Sequence, residues 1–205
     1  METVKQIPYG VADFESVIER DLYYVDKTMY LAELEKQPDT LIFIRPRRFG
    51  KSLFISMMRA YYDKSKAKDF DNLFGSLWIG SHPTPLRNHY QVLYLDFSKI
   101  LGNIDVLEEK FDQYLRRQLD DFVRKYADDY PDYFKKDFFE STSGTDKLIM
   151  ISIHADRLRI PMYLIIDEYD NFTNVVLSEH GEAIYHNMTH ASGFYREVFK
   201  KFKGM

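Results

Sequence analysis

Leu41-Ile42-Phe43-Ile44-Arg45-Pro46-Arg47-Arg48-Phe49-Gly50-Lys51-Ser52-Leu53 is the stretch whose reading decides the fold. Its first four residues are apolar without interruption, as in a parallel strand buried on both faces. From Leu53 the period changes: Leu53, Phe54, Met57, Met58 and Tyr61 recur at helical spacing and share one face. A strand, a tight turn ending in Gly-Lys-Ser and then a helix is the architecture of a phosphate-binding loop, or P-loop. Amide N–H groups at a helix N-terminus point outward, and the helix dipole favours negative charge there. Backbone amides from Arg48 through Phe49, Gly50, Lys51 and Ser52 to Leu53 are the expected cradle, and Arg47 and Arg48 either add phosphate contacts or meet a neighbouring subunit or nucleic acid. In that arrangement Lys51 places a point charge on the β and γ phosphates, and Ser52 places its hydroxyl on Mg²⁺. The full motif asks for Gly where this chain has Arg45. Gly-Lys-Ser by itself reads equally as a loop glycine followed by an exposed lysine.

A second motif lies far along the chain. Met162-Tyr163-Leu164-Ile165-Ile166 is another apolar strand, and it runs straight into Asp167-Glu168-Tyr169-Asp170. A carboxylate at the C-terminal end of a buried parallel strand sits at the sheet edge where open α/β folds bind ligands. This is the Walker B position, whose Asp holds Mg²⁺, here Asp167. Glu168 directly after it is placed to orient and deprotonate a water aimed at the γ-phosphate, an effect worth about 10²–10⁴ in rate. The competing reading of Asp-Glu after a strand is a helix cap in a solvated loop. Two motifs in this order, each launched from an apolar strand, favour the nucleotide reading, with Lys51 and Glu168 as the catalytic pair.

Composition sets the bounds. The 205 residues suit one domain of ordinary size, and 45% hydrophobic with 29% charged content is normal for a globular chain. The net charge of −4 argues against a broad nucleic-acid-binding face, which shows as a strongly basic domain. The absence of Cys excludes disulfides, thiolate zinc sites and cysteine nucleophiles. Acids and bases run through the N-terminal region, and no apolar stretch approaches the roughly 18 residues of a membrane span. A cytoplasmic protein with no membrane association is expected.

In chain order, Asp13 is placed to cap a helix whose Phe14, Val17 and Ile18 face inward. Tyr24-Val25 reads as extended, Asp26 as the cap of a helix running to about Lys36, and Gln37-Pro38-Asp39 as the turn into the first strand. Ile7-Pro8-Tyr9-Gly10-Val11, Tyr23-Tyr24-Val25-Asp26-Lys27-Thr28, Arg45-Pro46-Arg47-Arg48-Phe49-Gly50-Lys51-Ser52-Leu53, Tyr94-Leu95-Asp96-Phe97-Ser98 and Ile166-Asp167-Glu168-Tyr169-Asp170 together resemble the AAA-ATPase-like domain of bacterial proteins. The resemblance covers nearly the whole chain and accounts for Arg45, because that family carries Arg-Pro-Arg-Arg where others have Gly. It implies ATP binding and hydrolysis. Members are often followed by a restriction-endonuclease-like nuclease module, which makes such a downstream domain, or another protein, an expected partner.

Gln91-Val92-Leu93-Tyr94-Leu95 is a further apolar strand, and Asp96 and Ser98 at its end either reach Mg²⁺ and the attacking water or cap the next segment. Ile104, Leu107, Phe111, Leu115, Leu119, Phe122 and Tyr126 form the clearest amphipathic helix. Asp128 to Asp132 breaks it, and Ser141 to Thr145 is the next hinge, with Ser143 or Thr145 as cap of a helix through Leu148, Ile151, Ala155 and Leu158. Beyond Phe172 the pattern is helical; His186 and His190 have zinc-helix spacing, but Asn187 stands where a metalloprotease has Glu, so a solvated face is the better reading.

These observations predict an α/β fold: a P-loop NTPase, three-layer α/β/α, with a mainly parallel sheet containing strands at 41–44, 92–95 and 162–166. The sheet is expected to be incomplete, since the strand that follows Walker B and carries a polar sensor residue is not found before Met205. Residues 1–205 then form one AAA-ATPase-like P-loop domain, truncated at its C-terminal side, with 1–38 as its lead-in. The expected function is Mg²⁺-dependent ATP binding and hydrolysis, acting as a switch for a partner or a downstream domain. Two other readings stay open: a nucleotide-binding module without turnover, and a nucleic-acid-binding adaptor using the Arg45–Arg48 loop.

Overall fold

The structure, a computed structural model, describes residues 4–44, 49–100 and 104–169. Arg45, Arg47, Arg48, Asp170, the His186/His190 pair and the basic segment from Arg196 to Lys203 lie outside these residues. The chain divides into two compact units, Met1–Val92 and Leu93–Met205, and each is described by itself.

The first unit is built on helix α3, Lys51–Tyr62. It buries Phe54, Ile55, Met57, Ala60, Tyr61 and Tyr62, a wider arc than the single predicted stripe. Helix α1, Phe14–Glu19, packs here through Phe14, which is fully buried and stacks on Phe74 at 5.0 Å. Asp13 caps α1 as expected, its Oδ2 accepting from Ser16 N at 2.8 Å. Its Oδ1 accepts from Ser56 Oγ at 3.1 Å, and Ser56 Oγ in turn accepts from Phe14 N at 2.9 Å, so the cap also fastens α1 to α3. Asp26 does something other than cap. Helix α2 is short, Met29–Leu34, with Thr28 at its N-cap position. Asp26 instead accepts from Thr28 N and Oγ with one oxygen and from Trp78 N at 2.7 Å with the other. It thereby ties the start of α2 to the start of α5, Trp78–Ser81, which follows α4, Phe70–Phe74.

The strand expected at 41–44 does not form. The run belongs to no strand among the described residues. Leu41 and Phe43 are 43% and 41% exposed, Ile42 and Ile44 72% and 81%. That two-residue alternation is what an extended backbone produces. Extended backbone becomes sheet only through a ladder partner, and the apolar run specifies none. One contact of the run is with α3: Phe43 stacks on Phe54 at 5.4 Å.

The second unit holds the expected helices and most of a small parallel sheet of two strands, β1, Gln91–Asp96, and β2, Met162–Asp167. Helix α6, Ile104–Lys125, carries the predicted stripe, with Leu107, Phe111, Leu115, Leu119 and Phe122 all buried. Between the two breaks lies a helix the sequence reading does not contain: α7, Asp132–Glu140, entered from Pro131 and burying Phe134 and Phe138 four residues apart. Helix α8, Gly144–Leu158, is capped by Ser143, whose Oγ accepts from Asp146 N at 3.1 Å. All three helices join one apolar cluster with Leu93 and Leu95 of β1, against which Met162, Leu164 and Ile166 of β2 pack. Alternation therefore turns Tyr94 and Asp96 of β1, and Ile165 and Asp167 of β2, to the opposite face.

Helix α8 starts against α6 at Gly144. Its N–H donates to Asp112 Oδ1 at 2.7 Å, and a Cβ there would lie 2.8 Å from Asp112 O and 3.1 Å from Arg116 N. Both close atoms are backbone, so the helices must separate to admit a methyl group. Gly144→Ala is expected to cost about 1–3 kcal/mol, which lowers Tm by about 2–4 °C per kcal/mol in a chain of this size. A thermal unfolding transition at the wild-type temperature would contradict this close approach.

Candidate functional site

The Gly50-Lys51-Ser52 turn opens α3 in the first unit. Gly50 occupies the N-cap position at φ 76°, ψ 23°, the left-handed region that non-glycine residues adopt at a cost. It supplies no side chain to cap the helix, and among the described residues nothing lies within 4 Å of the position its Cβ would take. The helical ladder begins with Phe54 N donating to Gly50 O at 3.0 Å. Lys51 and Leu53 are half-buried, and Phe49, Gly50 and Ser52 are exposed. This much is suited to an anion, because the N-terminal amides and the dipole both favour one.

The acidic pair is built in the second unit, at the C-terminal end of β2. Asp167 is 5% exposed. Glu168 N donates to its Oδ1 at 2.9 Å, and Tyr94 OH donates to its Oδ2 at 3.3 Å. Glu168 has φ 51°, so the chain leaves the strand through a left-handed residue that is not glycine. Such residues are uncommon and gather at sites where the surroundings over-determine the backbone. Asp96, on the same face of β1, resolves the alternative left open for it. Its Oδ1 accepts from Ser98 N at 3.1 Å and Ser98 Oγ at 2.6 Å, and Lys99 Nζ stands 3.6 Å from its Oδ2. It caps the short 3-10 turn Phe97–Lys99.

The structure therefore brings Tyr94, Asp167 and Glu168 together, while Phe49 to Leu53 are gathered at the start of α3. Tyr94 is the member that sequence reasoning missed. The available signal was its position two residues before Asp96 in a strand whose alternate residues, Leu93 and Leu95, are core. Tyr114 of α6 was likewise unforeseen: its phenol oxygen accepts from Asp96 N at 2.7 Å and pins the end of β1.

For a metal, the donors present are oxygen atoms: the Ser52 hydroxyl in one unit and the Asp167 and Glu168 carboxylates in the other. No group of three or more His, Asp or Glu side chains that could hold an ion occurs among the described residues. Oxygen donors of these kinds, taken in each unit by itself, suit Mg²⁺, which prefers hard oxygen ligands, keeps several waters and is commonly held through substrate phosphates. No helix among the described residues is long and apolar enough to cross a membrane.

The fold and these two turns define a mixed helix–strand protein with a small parallel sheet, a glycine-opened helix and an acidic strand end. The chain belongs to the family described as "Predicted AAA-ATPase", which matches residues 8–205. A curated relative, described as "Uncharacterized protein in vnfD 5'region" of Azotobacter chroococcum mcd 1, is 44% identical over 55 residues, which make up 26% of this chain and 11% of the relative. The chain thus matches only a small part of that relative's length. No solved structure matches.

Burial pushes the Tyr114 phenol up to about 12, partly opposed by the Asp96 N–H that donates to it. A group raised in the folded state contributes stability that is complete below its unfolded pKa of about 10 and is lost as pH climbs toward the folded value. Stability is therefore expected to fall between pH 10 and about 12, and Tyr114→Phe to flatten that fall. An alkaline unfolding curve of the same slope in the variant would contradict the assignment.

Proposed function

We propose that the chain binds ATP with Mg²⁺ and hydrolyses it, acting as a switch for a partner protein or a downstream domain. The observation that carries the reading is Gly50 in the left-handed region at the N-cap of α3, with Lys51 and Ser52 on the first turn after it. Membership of the family described as "Predicted AAA-ATPase" supports nucleotide binding. The Asp167-Glu168 pair at the end of β2 supports the choice of reaction.

In this proposal the amides from Arg48 to Leu53 hold the phosphates, with Arg47 and Arg48 beside them. Lys51 neutralises the β and γ phosphate charge. Ser52 and Asp167 would hold Mg²⁺, which when bound supplies a Lewis acid for the leaving phosphate oxygens. Glu168 takes the proton of the attacking water, and its left-handed backbone sets the direction in which the carboxylate leaves the strand. The division of labour within the pair follows burial. Asp167 is enclosed, with both oxygens held by donors, which suits a fixed ligand. Glu168 is more open, which suits a group that must meet a water.

Lys51→Ala is expected to weaken ATP binding by about 10- to 100-fold, the worth of a charge-assisted contact, while the unfolding transition stays in place. Glu168→Gln is expected to retain ATP affinity and lose about 10²–10⁴ in turnover. Titration with a fluorescent ATP analogue and phosphate-release kinetics check the two. Wild-type affinity in the Lys51 variant removes the phosphate loop from the account, and full turnover in the Glu168 variant removes the base.

A further inference from the structure

We propose that Tyr94 is a positioning residue for the Asp167 carboxylate, holding it ready for the divalent cation that accompanies the nucleotide. This rests on the reading of Asp167 as a magnesium-holding carboxylate. The argument begins with the sheet. Leu93 and Leu95 of β1 belong to the helical core, so Tyr94 between them must face the other way. On that face β2 presents Asp167, and the Tyr94 hydroxyl lies 3.3 Å from its Oδ2. The Glu168 amide holds Oδ1 from the other side at 2.9 Å. A carboxylate with a donor on each oxygen has its plane fixed. A carboxylate oxygen has two lone-pair directions, so one hydrogen bond to it does not by itself bar a cation.

Rotation of a loose Asp side chain has to be frozen when a cation is bound. Here the two donors freeze it beforehand, one from the backbone and one from the neighbouring strand. The phenol bond, at 3.3 Å, is longer than the 2.7–2.8 Å typical of O–H···O. Tyr114 is a useful contrast within the same unit. Its phenol oxygen accepts from a backbone N–H of β1 and so serves the strand; the Tyr94 hydroxyl is given to a side chain at the strand's functional end. Partners that orient a ligand in this way typically change metal affinity by about 10- to 100-fold when removed.

Tyr94→Phe keeps the ring and deletes only the donor. The test is binding of mant-ATP followed by fluorescence, at fixed protein and rising MgCl₂, for the wild type, Tyr94→Phe and Asp167→Asn, with thermal unfolding of each. The expected result is a Mg²⁺ midpoint at least about tenfold higher in Tyr94→Phe, with mant-ATP affinity in EDTA and Tm as in the wild type. A purely structural tyrosine would move the EDTA affinity or Tm and leave the midpoint alone. An unchanged midpoint in folded Tyr94→Phe overturns the positioning role. If Tyr94→Phe does not fold, Tyr94→Leu, which also deletes the donor, is read in its place, and a Mg²⁺ midpoint equal to the wild type's in that folded variant overturns the role equally. If wild type and Asp167→Asn share one Mg²⁺ dependence, the metal-ligand reading of Asp167 fails and takes this inference with it, an outcome separate from the failure of Tyr94 alone.

Discussion

A buried carboxylate is the constraint from which the second unit can be understood. Taking an ionised group out of water costs several kcal/mol unless donors replace the lost solvent. Asp167 sits at the end of β2 with 5% of its surface exposed, and the donors provided for it are a backbone amide and a phenol. Supplying the phenol requires β1 to run beside β2 in a register that brings the Tyr94 hydroxyl within reach of Asp167. That register is fixed from the opposite face, where Leu93 and Leu95 must reach the core formed by α6, α7 and α8. A slip of one residue would exchange the two faces and send Tyr94 into the apolar cluster. The latch from Tyr114 to Asp96 N holds the strand end against such a slip.

The first unit answers a different demand. A helix with glycine at its N-cap gives up the side-chain hydrogen bond of a Ser, Thr, Asp or Asn cap, at a cost of only about a few tenths of a kcal/mol. Gly50 also gives up a favourable backbone region for a side chain. Asp13 on α1 and Ser143 on α8 each accept from an amide three residues on, whereas α2, α4, α5 and α7, like α3, have no side-chain cap hydrogen bond. What sets the start of α3 apart is a glycine in the left-handed region at the N-cap. Its body compensates, with Phe54, Met57, Tyr61 and Tyr62 buried and aromatic contacts to Phe43 and Phe74. A helix that starts on a left-handed glycine, its N-terminal amides and dipole favouring negative charge, is an arrangement fitted to receiving an anion.

Much of this was legible in the residues, for identifiable reasons. The seven-membered stripe from Ile104 to Tyr126 could be read because helical periodicity is a local property repeated over 22 residues of α6. Asp13 and Ser143 could be read because a cap is decided within four residues. The strand ending in Asp167 was visible as an apolar run meeting a carboxylate. What failed were the properties that depend on distant partners. The run 41–44 signals burial but cannot name the strand it pairs with, and here it lies extended and half-exposed against Phe54. Asp26 looked like a local cap and proved to reach the start of α5. Helix α7 was hidden by its own composition: Pro131 and the acidic residues before it read as a break, while the inward pair Phe134 and Phe138 spans a single turn. Tyr94 escaped because nothing in a strand sequence says which residue its outward side chain will meet.

The central claim is that the glycine-opened start of α3 and the acidic end of β2 serve the same nucleotide. Mn²⁺ in place of Mg²⁺ gives the most direct measurement, since it broadens the NMR signals of nearby amides. With ¹⁵N-labelled protein and substoichiometric Mn²⁺·ATP, the account predicts that the amide signals of Lys51, Ser52, Asp167 and Glu168 broaden together and recover when Mg²⁺·ATP is added in excess. Broadening confined to Lys51 and Ser52, with Asp167 and Glu168 untouched, would contradict it.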